Sequence, residues 1–164
     1  MYIILLVIVA ILLVWTAISY FLNRSVKTPE YTVVEKSEGY EIRSYKPYLT
    51  AQVEVSGTYD EAMNQGFRIL ADYIFGNNTK QTGIAMTAPV VETGDNKKRI
   101  ISFVMPFEYT LETLPKPNNP EVKIVPQKAR KVAVLRFSWF RNALRVAGKK
   151  QELSKLLERD SIKP

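Results

Sequence analysis

The chain has 164 residues, with 23 Lys or Arg against 16 Asp or Glu, and a formal net charge of +7. It contains no His and no Cys. That removes disulfides, Cys/His zinc fingers, thiolate haem ligation, Cys nucleophiles and Ser-His-Asp catalysis, along with the side chain that titrates nearest neutrality.

Residues 1–22 are unlike the rest. They carry no charge and include fourteen Leu, Ile, Val or Phe. As a helix they extend about 33 Å, against a bilayer core of about 30 Å. Tyr2 and Tyr20 are spaced for the two interfaces. A cleaved signal peptide is the competing reading, but it needs a positive segment ahead of the apolar run, and no Lys or Arg precedes this one. A retained single-pass membrane anchor is therefore expected. Arg24 and Lys27 follow it, which places the rest of the chain on the cytoplasmic side by the positive-inside rule.

Residues 23–30 form a polar linker ending in Thr28-Pro29-Glu30, and residues 31–164 suit one domain. Tyr31 to Lys36 and Tyr40 to Tyr45 are rich in β-branched and aromatic residues around Ser37-Glu38-Gly39, which predicts a hairpin. Pro47 breaks the run. From Tyr48 to Val55 the pattern alternates, with Leu49, Ala51, Val53 and Val55 on one side.

Thr58-Tyr59-Asp60-Glu61 matches a capping box and opens the first helix of the domain. Gly76 supplies the stop, and Asn77-Asn78 extend the break. Ile84 to Met86 and Val90-Val91 read as short extended pieces around Pro89, and Gly94-Asp95-Asn96 as a turn. Arg99 to Met105, Val122 to Val125 and Lys131 to Phe137 read as strands, separated by an irregular loop at Thr113 to Pro120. A second helix is expected from about Trp139 to Arg159, with Leu144, Val146, Leu153, Leu156 and Leu157 partly in a stripe. Strand, Ser-aromatic junction and helix at Val53 to Phe75 recur faintly at Val134 to Leu157, which allows two similar halves meeting in one sheet or open barrel.

The first domain helix carries Met63, Phe67, Leu70 and Ile74 on one face. Such a face fills a core in most proteins; it also suits the wall of a pocket for a flat apolar ligand. Arg68 and Lys80 are candidate cations at its rim. Arg141, Arg145 and Lys149 share one face of the second helix, either solvated or set toward propionates or anionic headgroups. Thr87 in Met86-Thr87-Ala88-Pro89-Val90 has no base to activate it and reads as a turn residue. Glu35, Glu38 and Glu41 crowd an exposed hairpin and read as surface charges. There is no converging cluster of titratable groups, so an enzyme is not expected. With no finger, RNA-binding signature or long basic run, nucleic acid is not an expected partner either.

Five segments carry a wider likeness. They are Tyr40-Glu41-Ile42-Arg43 with Tyr45, Phe67 through Tyr73-Ile74-Phe75-Gly76-Asn77-Asn78, Ile84-Ala85-Met86-Thr87-Ala88-Pro89-Val90, Phe103-Val104-Met105-Pro106, and Tyr109-Thr110-Leu111-Glu112-Thr113-Leu114-Pro115-Lys116-Pro117. On these residues the chain from about Tyr31 onward resembles the SOUL / haem-binding protein family. The resemblance implies an α+β fold: a distorted antiparallel β-barrel or sheet with two helices, built from duplicated strand-helix halves and here preceded by the transmembrane helix. It also implies non-catalytic binding of haem or another tetrapyrrole beside the first domain helix, with Met63, Phe67, Leu70, Ala71 and Ile74 as the wall. Two departures shape the expectation. Without His, iron ligation would fall to Tyr, Met or Lys or be absent. Family members also continue past the second helix into a closing strand pair, where this chain ends at Pro164, so an open site or a truncated sequence is expected. The alternative is a module binding other amphipathic effectors or proteins, on a fold-level analogy with effector-binding domains of bacterial regulators.

Overall fold

A computed structural model describes residues 2–24, 27–95, 98–138 and 142–163 of the chain. Helix α1 runs Tyr2–Arg24 and precedes the domain. Its described side chains, such as Ile4, Leu6 and Leu13, are exposed. Among the described residues no helix is long and apolar enough to cross a membrane, so the expected span finds no support there.

The expected hairpin forms as β1 (Tyr31–Ser37) and β2 (Tyr40–Tyr45). β3 follows the Pro47 break as Tyr48–Val55; Ala51, Val53 and Val55 are buried as the alternation predicts, while Thr50 on the other side is buried as well and Leu49 only half-buried. Helix α2 spans Tyr59–Ile74. The Thr58 hydroxyl accepts the Glu61 amide, and the Glu61 carboxylate accepts the Thr58 amide at 3.0 Å, so two of the helix's orphan donors are satisfied reciprocally. Phe75 closes the helix and Gly76, at φ 123°, turns the chain away.

The remaining strands are β4 (Val90–Gly94), β5 (Arg99–Val104), β6 (Lys123–Gln127) and β7 (Arg130–Val134). Ile84 to Met86, expected as an extended piece, forms no named strand. Helix α3 runs Ala143–Arg159, because Asn142 caps it by accepting the Arg145 amide at 2.9 Å. Trp139 and Arg141, assigned to this helix from the sequence, lie outside the described residues, as does Asn96 of the predicted turn. Leu144 is not part of an apolar stripe: it is 86% exposed, while Leu157 is buried.

The strands form two antiparallel sheets, β1-β2-β7 and β4-β5-β3-β6. Among the described residues they do not close into a barrel, which corrects the barrel half of the expectation. The physical reason is pairing: β2 pairs with β1 and β7, while β3 pairs with β5 and β6, so the turn at Lys46-Pro47 and the turn between β6 and β7 carry the chain from one sheet to the other.

The core lies where α2 packs on β3 and β5. Leu70 and Ile74 meet Val53, Ile101 and Phe103 there. Gly66 allows the approach: a Cβ at that position would stand 2.4 Å from Ile101 Cγ1.

Candidate functional site

The α2 stripe divides when the sheet covers it. Met63, Leu70, Ala71 and Ile74 are buried, at 7%, 0%, 8% and 1% exposure. Phe67 alone of the predicted wall is open, at 40%, with its ring edge-on to Phe103 at 5.2 Å. A quadrupolar pair of this kind holds Phe67 in place and leaves part of its surface to solvent. Arg68, next in the chain, is exposed.

Lys80 belongs elsewhere. Its ammonium donates to the Thr113 carbonyl at 3.1 Å and its amide donates to Asn78 Oδ1 at 3.2 Å, so it fastens the loop after α2. Asn78 is the centre of that loop. It is fully buried, its amide nitrogen donates to the Tyr73 and Thr82 carbonyls at 3.1 and 2.8 Å, and its oxygen accepts from Lys80 and Thr82. The Gly-Asn-Asn signature is therefore a structural knot in which every group of one buried amide is satisfied. Thr87 is structural too, donating to the Val104 carbonyl at 2.5 Å.

Of the second-helix cations, Arg145 is exposed and Lys149 pairs with Glu152 at 2.6 Å. Glu41 pairs with Arg43, and the Glu38 carbonyl accepts from Arg159. The hairpin tip is held from α3, because the Tyr40 hydroxyl donates to Asp160 at 2.7 Å. Hydrogen bonds from Arg159 and Tyr40 hold the Asp160 carboxyl down at about 2. Tyr73, buried with its hydroxyl donating to the Pro115 carbonyl at 2.7 Å, is pushed up to about 12 by desolvation. Glu92 and Arg99 form a buried pair at 2.6 Å, with the guanidinium over the Tyr59 ring.

A cavity of about 300 Å³ lies beside that pair, against Tyr59 and Leu144, and further open space lies at the far end of β5. A cavity of about 240 Å³ is lined by Lys27, Pro29, Pro47, Tyr48, Val104 and Phe107. A wider one of about 590 Å³ adjoins it, between Tyr31, Tyr45, Lys46 and Pro47. Neither touches the α2 stripe. None of these residues was read from the sequence as part of a binding site. The available signal was the set of prolines, Pro29, Pro47 and Pro106, which end extended segments that the fold brings side by side.

The comparisons agree with the sequence motifs. The family model described as SOUL heme-binding protein matches residues 26–164. The human protein named Heme-binding protein 2 is 32% identical over 150 residues, covering 84% of this chain and 72% of the relative. This chain belongs to the SOUL heme-binding protein family.

Proposed function

We propose that this chain binds haem or a related tetrapyrrole without turning it over, on the side of α2 that Phe67 leaves open, and that α1 holds it to a membrane. The match of residues 26–164 to a family described as heme-binding carries the reading. Locally, Phe67 offers an exposed ring seated on Phe103, and Arg68 offers a cation to a propionate. The donor set fits apolar contact and charge pairing; it lacks the His and Cys that most often hold haem iron. Because Met63, Leu70 and Ile74 pack inward, contact would be made across the surface of α2, with Phe67 as the chief apolar group.

The membrane part rests on the sequence of the first 22 residues, which carry no charge. Arg24 and Lys27 favour a cytoplasmic domain. Titration of the full chain with haemin tests the first part. A saturable Soret change is expected, lost in Phe67→Asp and weakened in Arg68→Glu. A Phe67→Asp protein that stays folded and binds haemin as well as its parent would remove this site. Leu70→Asp is no test, since that side chain is fully buried and the change would unfold the domain.

A second reading has its own observation. The wider cavity at Tyr31, Tyr45 and Lys46 is lined by aromatic rings and by the Lys46–Glu30 ion pair, and suits a different amphipathic ligand. Melting shifts with varied apolar acids but none with porphyrins would favour it.

A further inference from the structure

The geometry points to a docking surface around Phe107 that rests on the headgroup zone of an anionic bilayer. The inference deepens the membrane reading above and depends on it. Three observations meet at Lys27.

First, Lys27 is fastened to the domain. Its carbonyl accepts the Ala88 amide at 2.9 Å, and its ammonium pairs with Glu108 at 2.8 Å and lies 4.9 Å above the Phe107 ring. Lys27 is only three residues beyond Arg24, the last residue of α1. Three peptide steps reach at most about 11 Å. Whatever the angle of the helix, the face at Lys27 lies within that distance of its end, so an embedded α1 makes this the juxtamembrane face.

Second, that face presents an aromatic side chain with little cover. Phe107 is 72% exposed. It shares the 240 Å³ cavity with Pro29, Pro47 and Tyr48, apolar and aromatic side chains of the kind that suit a membrane–water interface.

Third, the charge suits anionic lipid. Tyr48 pairs with Gln127, Tyr45 pairs with Arg130, and Arg130 donates to the Tyr48 hydroxyl at 3.1 Å, so the turn between β6 and β7 stands at this same end. It brings Lys128, Arg130 and Lys131, all exposed. With Lys27 and Lys46 they outnumber Glu30 and Glu108, the acidic partners of those two lysines. Basic residues beside an anchor are drawn to an anionic leaflet.

The absence of Cys makes the test direct. The full chain is reconstituted in phosphatidylcholine vesicles with and without phosphatidylserine, carrying a nitroxide on Phe107→Cys or on Leu144→Cys. Leu144 is 86% exposed and lies at the other end of β5, beside Arg99, about 16 Å away along the strand. The label at position 107 is expected to be open to oxygen and shielded from a water-soluble nickel chelate, more strongly with phosphatidylserine, and the label at 144 open to the chelate. Lys128→Glu with Lys131→Glu should abolish the lipid dependence. Vesicles that float with the protein while position 107 stays as open to the chelate as 144 overturn the docking surface alone. Protein that does not float overturns the tether and this inference with it. Shielding at 107 that is independent of lipid and accompanied by spin–spin broadening assigns the face to a second copy and overturns the bilayer.

Discussion

Gly66→Ala tests the packing that decides what α2 can offer a ligand. The added methyl carbon would stand 2.4 Å from Ile101 Cγ1 and 2.7 Å from its Cβ. Carbon atoms prefer about 3.5–4.0 Å, so a gap of roughly 1 Å must open. Ile101 cannot yield easily: it is fully buried, β-branched, and sits in a strand paired on both sides, to Val53 and to Glu92. The helix must lift instead, loosening Leu70 and Ile74. Overpacking of this kind costs about 1–3 kcal/mol. Alanine returns up to about 1 kcal/mol as the better helix former. A net loss of about 1–2 kcal/mol is expected, read in denaturant as a lower midpoint at unchanged slope. Ile101→Ala in the same chain should relieve part of the clash, making the double variant less damaged than the sum by about 1 kcal/mol. A Gly66→Ala protein as stable as its parent, or more so, would refute the close approach and reopen the inner face of α2 as a pocket wall.

Other outcomes follow from single contacts. Asn78→Asp replaces the two donors facing the Tyr73 and Thr82 carbonyls with an acceptor; a loss of at least about 2 kcal/mol in unfolding free energy is expected, and an unchanged midpoint would sink the knot. Glu92→Ala removes the carboxylate partner of a guanidinium whose side chain is 9% exposed; about 3 kcal/mol should be lost, and a near-neutral result would show that the other neighbours of Arg99 suffice. Asp160 is held at about 2 in the fold, below its unfolded value of about 3.9. The docking of α3 on the hairpin is therefore complete above that unfolded value and weakens as pH falls toward 2, a limb that hydrogen exchange at α3 should show and Asp160→Asn should lack. Tyr73 behaves oppositely. Its pKa is raised to about 12 from about 10 when unfolded, so its contribution is whole below pH 10 and disappears as pH rises through 12. Tyr73→Phe should flatten that alkaline loss at some cost at neutral pH.

Much of the local structure was legible in the chain. The capping box at Thr58 and the stop at Gly76 bracketed α2 to within a residue, because cap hydrogen bonds and left-handed backbone are written within four or five positions. The hairpin and the alternation of β3 were read for the same reason. The start of α3 is less legible, because Asn142 is a cap without an accompanying Glu and Leu144, which the pattern places in an apolar stripe, faces solvent. The family motifs were also readable, and two of them, Asn78 and Thr87, turn out to hold loops in place.

The periodicity of α2 established that Met63, Phe67, Leu70 and Ile74 share a face; it held no information on what would cover that face. That was decided by β3 and β5, distant in sequence, whose pairing sets Ile101 against Gly66 and seals all but Phe67. One open space formed instead where three proline-bounded segments, around Pro29, Pro47 and Pro106, converge on Lys27. Helical order and turns arise from neighbours along the chain, whereas burial and cavities arise from strand pairing across it, so only the folded chain could place them.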